Sequence, residues 1–227
     1  MLDVKQTTLL GFKIRKIVSN VFAYKNSLGK FCSIDIEDIG LFHGKMGVVL
    51  FFAHYARYTD SAIYDDFAGE LLEEICENIP ETLPINLETG LCGIGWGIEY
   101  LIQNGFMEGD SNEILTEIDK KVMERDLRRI KDLSLETGLM GISSYINIRI
   151  NNADITAIHT NFDDLFLLEW NLICNNKIIL DKKQAILQII GSFPKNEDIH
   201  SWELGLHQGS SGYGLRWILE ETPVYSG

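Results

Sequence analysis

Four times along the chain an acidic residue stands two places before a Gly-Leu pair that opens a run of small residues. The segments are Asp38-Ile-Gly-Leu-Phe-His-Gly-Lys-Met-Gly47, Glu88-Thr-Gly-Leu-Cys-Gly-Ile-Gly-Trp-Gly97, Glu136-Thr-Gly-Leu-Met-Gly-Ile-Ser-Ser-Tyr145 and Glu203-Leu-Gly-Leu-His-Gln-Gly-Ser-Ser-Gly212. Counted between Gly40, Gly90, Gly138 and Gly205, they start 50, 48 and 67 residues apart. That spacing accommodates one helical hairpin per repeat and exceeds the period of the short-repeat solenoids.

An apolar stretch of helical length follows each segment: Val48 to Tyr58, Ile98 to Gln103, Ile146 to Ile150 and Leu215 to Leu219. The glycines therefore fall at helix starts. Glycine costs roughly 1 kcal/mol relative to alanine inside a helix, so several in one first turn imply close approach of another backbone or of a ligand. Between the apolar stretches lie amphipathic patterns, such as Phe67, Leu71, Leu72 and Ile75, or Ile114, Leu115, Ile118 and Val122. Alternation of apolar, glycine-started helices with amphipathic ones predicts an all-α fold, an α/α toroid or an arc of one, with its four motifs at one end. Residues 151–200 interrupt the spacing with two further helices, one around Phe162 to Leu172 and one from Asp181 to Ile190, and Lys177 to Leu180 is a candidate short strand. The whole of residues 1–227 is expected to form one domain.

Charge and cysteine content narrow the function classes. A formal charge of −13 disfavours nucleic acid and anionic membranes, since phosphate binding draws on clustered Lys and Arg. The basic cluster of Arg125, Arg128, Arg129 and Lys131 reads as the solvated end of an outer helix. Cys32, Cys76, Cys92 and Cys174 show no paired spacing, which predicts a reduced, cytoplasmic setting. No apolar run approaches the roughly 20 residues of a membrane span.

Gly40-Leu-x-His-Gly-x-x-Gly47 and Gly90-Leu-x-Gly-Ile-Gly-x-Gly97 resemble the repeated motifs of the lanthionine synthetase C-like proteins, and the likeness runs from about Gly40 to Leu219. The resemblance implies an α/α toroid. Family cyclases add a peptide cysteine thiol across a dehydrated serine or threonine, with zinc activating the thiol. Their Trp-Cys-x-Gly and Cys-His-Gly zinc motifs do not occur in this chain, and His207-Gln208-Gly209 stands at the place of the second. The reading that follows is an accessory of peptide modification that needs no cofactor and binds a precursor peptide or a modifying enzyme.

Candidate site residues fall into three groups. His43 matches the family histidine held to act in proton transfer; its other reading is a ring whose nitrogens satisfy backbone groups at a crowded helix start. His43, Cys92 and His207 are the candidate ligands of an atypical metal site, for which Cys92 and His207 are taken to occupy equivalent repeat positions. Asp38, Glu88, Glu136 and Glu203 stabilise helix N-termini through the dipole and free amides. Alternatively they line one mouth of the toroid, with Glu88 and Glu136 the acid and base of a carbohydrate-active hydrolase. Trp96 and Tyr213, inside the glycine runs, are expected to face a ligand at the centre. A third role is structural: a partner subunit that completes another protein's toroid.

Overall fold

The computed structural model describes residues 37–150, 160–174, 182–192 and 203–221. The candidate strand at Lys177 to Leu180, together with His159, His200, Trp202 and Cys32, lies outside them. The regular elements among the described residues are all helical: α1 (Lys45–Thr59), α2 (Ala62–Glu77), α3 (Leu91–Gln103), α4 (Ser111–Ile114), α5 (Thr116–Met123), a 3-10 turn (Leu127–Arg129), α6 (Leu139–Ile150), α7 (Asp164–Cys174), α8 (Lys182–Ile190) and α9 (Ser210–Glu221). Each glycine-started helix begins inside its small-residue run and is longer than the apolar stretch alone predicts. Gly44 and Gly90 are the N-caps of α1 and α3.

The inner helices α9, α1, α3 and α6 pack in that order, each on the next, while α2 covers α1, α5 leans on α3 and α8 on α9. Chain order is thus not spatial order: the fourth motif closes against the first. Backbone hydrogen bonds join the loops that precede the inner helices. Leu206 and His207 donate to the Phe42 carbonyl (2.7 and 2.8 Å), Leu41 and Phe42 donate to that of Glu88 (2.9 and 3.1 Å), and Leu87 and Glu88 donate to that of Glu136 (3.1 and 3.0 Å). The result is an arc of an α/α toroid in which all four motifs meet at one end.

These bonds fix the repeat register, and it corrects the one read from the Gly-Leu pairs. The loop-to-helix bonds Lys45 to Asp38, Leu91 to Pro84, Leu139 to Asp132 and Ser210 to Glu203 all span seven residues. Equivalent segments are therefore 38–47, 84–93, 132–141 and 203–212, sharing the pattern Leu-x-x-Gly-x-x-Gly. Gly47, Gly93, Gly141 and Gly212 each lie so close to the carbonyl of Leu41, Leu87, Leu135 or Leu206, six residues earlier, that a Cβ would collide with it. That contact explains the recurring glycine: loop and helix of one repeat touch backbone to backbone.

The same glycines show how neighbouring repeats nest. The Cβ of Leu206 packs at Gly47, that of Leu41 at Gly93 and that of Leu87 at Gly141. At Gly212 the corresponding neighbour is Ile190, from the end of α8, and Gln208 donates to the Ile190 carbonyl (2.9 Å). Helix α8 thus covers the edge of the fourth motif that a further repeat would otherwise cover. At the other end of the arc, Leu133 and Met140 beside the third motif are exposed.

Candidate functional site

The register sorts the acidic residues into two unlike pairs. Asp38 and Glu203 are equivalent to each other, with Pro84 and Asp132 as their counterparts, whereas Glu88 and Glu136 are equivalent to Phe42 and His207. The four carboxylates do not share one position of the repeat. Asp38 accepts a hydrogen bond from the Gly40 amide (2.7 Å), as Asp132 does from that of Ser134 (2.9 Å), so both close local turns. Glu88 and Glu136 sit one repeat apart along the arc. Glu136 is half-buried, and its carbonyl holds the second motif's loop.

His43 stands between two carboxylates from the repeats on either side of its own. Its Nε2 is 3.6 Å from Glu88 Oε1 and its Nδ1 is 3.5 Å from Glu203 Oε2. Both separations exceed hydrogen-bond length, and Nδ1, although shielded from solvent, has no hydrogen-bond partner. The backbone explains the convergence: His43 follows Phe42, whose carbonyl ties down the fourth motif and whose amide is tied to Glu88.

His207 completes the cluster. Its ring stacks on Phe42 (centroids 4.8 Å apart) and meets His43 edge-on at 5.9 Å. Its Nδ1 lies 2.7 Å from the Ile189 carbonyl, which can only accept, so Nδ1 carries the hydrogen and Nε2 is the acceptor nitrogen of the neutral ring.

Residues 35–185 match the family model of the lanthionine synthetase C-like proteins. The chain belongs to the lanthionine synthetase C-like family. The fourth motif, with Glu203 and His207, lies beyond the matched span. Among solved structures the protein is similar to nisin cyclase, at 18% identity and a TM-score of 0.49, over 91% of this chain and 56% of that one. The chain thus spans little more than half the length of nisin cyclase. No curated protein matches it.

The remaining candidates of this lanthionine synthetase C-like protein lie elsewhere. Trp96, expected to face a ligand, is fully buried and stacks on Tyr100 at 5.2 Å, because α3 is enclosed by α1, α5 and α6. Cys92, taken as the counterpart of His207, is equivalent to Met46 and Ser211 inside the helix, and its thiol is sealed in the core. Burial, then the charge of Asp119, pushes that thiol well above its ordinary range. His43, Cys92 and His207 do not form a metal centre, and among the described residues no three His, Cys, Asp or Glu side chains are grouped to hold an ion. Tyr213 is half-buried on α9, its phenol pushed upward by burial.

Two further features escaped the sequence reading. Arg149 is buried and uses its whole guanidinium fork: Nε to Asp119 Oδ1 (3.2 Å), Nη1 to Glu99 (2.7 Å) and Ser111 (3.0 Å), and Nη2 to Asp119 Oδ2 (2.7 Å) and Asn112 (2.9 Å). Tyr145 donates to Asp119 Oδ1 at 2.6 Å, and Asn161 Nδ2 donates to Asp119 Oδ2 at 2.9 Å. A lone charge in each apolar run, Glu99 in Ile98–Leu101 and Arg149 in Ile146–Ile150, was the signal for this network. Separately, a cavity of about 390 Å³ opens between Glu81, Leu83 and Ile85 and the α5 end at Lys121 and Arg125. It contains no motif residue. The basic cluster beyond it is neutralised in part, with Arg128 paired to Asp126 (3.1 Å) and Glu169 (2.8 Å) and Arg129 to Asp126 (3.2 Å). No helix among the described residues is long and apolar enough to cross a membrane.

Proposed function

We propose that this lanthionine synthetase C-like protein serves peptide modification as an accessory that works without zinc, binding a precursor peptide at the glycine-motif end of the arc. The observation that carries the reading is the cluster of His43, Glu88, Glu203 and His207, which draws on three adjacent repeats and reaches the surface with 37% of the His43 side chain exposed. The donors there do not fit zinc as a cyclase uses it. A thiol-activating site wants a thiolate-rich shell with an open position, and this one offers two imidazoles and two carboxylates, with Cys92 sealed away. No step is therefore routed through a metal.

One observation favours a second, catalytic reading. His43 presents an imidazole between two carboxylates, an arrangement able to take up and return a proton. A single experiment separates the two. A fluorescein-labelled peptide carrying one cysteine and one dehydroalanine is titrated with the protein and with His43→Ala, following both anisotropy and free thiol. Saturable binding with the thiol retained supports the accessory. Thiol loss that depends on His43 makes the protein an enzyme. Failure of the peptide to bind at any protein concentration sinks both readings.

A further inference from the structure

Several places on the molecule offer chemistry. The α7 face of Leu165, Leu168 and Leu172 is exposed, but nothing in the structure says what covers it. The 390 Å³ cavity carries two acids and two bases on exposed side chains, which select no ligand charge. The motif cluster is different, because it offers acceptors and almost no donors.

Helix N-termini ordinarily attract anions through their free amides. In this mouth first-turn amides are committed, Lys45 to Asp38, Leu91 to Pro84, Ser210 to Glu203 and Ser211 to Leu204, as are amides of the loops before them: Leu41 and Phe42 to Glu88, Leu206 and His207 to Phe42, and Gly40 to the Asp38 side chain. Lys45, in the first turn of α1, is buried against Glu74 and its charge is compensated there. The groups left over are the Glu88 and Glu203 carboxylates, neither within hydrogen-bond distance of His43, and His207 Nε2, the ring nitrogen not committed to the Ile189 carbonyl. The unpartnered, solvent-shielded Nδ1 of His43 stands among them. A shielded nitrogen without a partner is satisfied when an occupant supplies one.

We infer that the cluster is a recognition site for a cationic group, and that the peptide this protein binds presents a lysine or arginine side chain to Glu88, Glu203 and His207. An ammonium or guanidinium brings only donors, which this set of acceptors can satisfy. The inference rests on the peptide-binding reading and specifies its ligand. The chain's charge of −13 aids capture of a basic peptide but does not place it, so the test must separate site from surface.

Three fluorescein-labelled ten-residue Gly/Ser peptides serve as probes, identical except for three lysines, three glutamines or three glutamates. Against the unaltered protein the lysine peptide is expected to bind at least ten-fold more tightly than the glutamine peptide, and the glutamate peptide not at all. In Glu88→Gln/Glu203→Gln the lysine preference should fall to within about three-fold, a loss consistent with two charge-assisted contacts. The control, Glu113→Gln/Glu124→Gln, makes the same charge change at exposed positions outside the cluster and should keep the preference. Equal loss in both double variants overturns the inference, since attraction would then be diffuse. Equal binding of all three peptides by the unaltered protein also overturns it while leaving peptide binding intact; no binding of any peptide removes the underlying reading instead.

Discussion

Two charged clusters occupy this arc and are built in opposite ways. Around Arg149 every guanidinium hydrogen has an acceptor, distances run from 2.7 to 3.2 Å, and the side chains of Arg149, Glu99 and Asp119 are at most 1% exposed. Around His43 the nearest charged atoms stand 3.5 and 3.6 Å away, one nitrogen has no partner, and Glu203 is 79% exposed. Buried charge is tolerated only when it is fully compensated, so the first cluster reads as fixed architecture. The second leaves its groups unspent, which is what a ligand site requires. Burial opposes the Arg149 charge, but the Asp119 carboxylate, with smaller help from Tyr145 and Glu99, outweighs it and holds the guanidinium above its ordinary range, so Arg149 stays charged at any working pH.

Breaking the sealed cluster should have the largest effect. Arg149→Leu leaves Asp119 and Glu99 buried without their cation, and the expected loss is about 3–5 kcal/mol. Urea unfolding followed by far-ultraviolet circular dichroism measures it. A loss below about 1 kcal/mol would mean that the network relaxes into water, and the contrast between the clusters would collapse.

Next comes the backbone contact that nests the repeats. In Gly93→Ala the new methyl group meets the Leu87 carbonyl and lies 2.9 Å from the Leu41 Cβ, neither of which can move without shifting the neighbouring loop. The expected cost is about 2–4 kcal/mol by thermal or urea unfolding. Gly69→Ala is the counterpart. It lies in the middle of α2 with nothing within 4 Å of the added Cβ, and should stabilise by roughly 0.4–1 kcal/mol. If both changes cost the same, repeat nesting is not what the motif glycines provide.

A smaller effect depends on pH and belongs to neither cluster. His54 shares a hydrogen bond with Tyr100 (2.9 Å), and burial, then nearby Arg57, lowers its imidazole to about 3. The unfolded chain takes up that proton near pH 6.5 and the folded protein does not. Stability is therefore unaffected above about pH 6.5 and falls as pH drops from there toward 3, by at most about 1.4 kcal/mol per unit. His54→Gln should flatten that part of the profile in thermal melts between pH 7 and 4.5. An unchanged slope would assign the acid sensitivity to other groups.

Sequence periodicity reached the helices and the arc because apolar spacing and glycine placement are local signals. The amphipathic stretches became α2 and the α4–α5 pair, and the glycine-started stretches became inner helices. The repeat register was misread because Gly-Leu occurs at two offsets: Gly40 and Gly205 stand four positions before the helix-capping Gly44 and Gly209, whereas Gly90 and Gly138 are themselves at the capping position. Only the longer pattern Leu-x-x-Gly-x-x-Gly, which ties Leu41, Leu87, Leu135 and Leu206 together, resolves that ambiguity. The site suffered from the same error. Cys92 was aligned with His207 and Glu88 with Asp38, when the contacts that matter, His43 with Glu88 and Glu203, join residues 45 and 160 positions apart. The spatial order, with the fourth motif beside the first, has no local signature at all.

The smallest expected effect is the one that tells most about the open cluster. His43→Gln and Glu203→Gln remove groups that make no hydrogen bond within ordinary distance, and each should change unfolding stability by less than about 0.5 kcal/mol. Measured beside Arg149→Leu under the same conditions, such neutrality marks the cluster as serving something other than the fold. A loss of about 2 kcal/mol or more in His43→Gln would instead make the imidazole a fastener between the second and fourth motifs, and the two clusters would differ in tightness but not in kind.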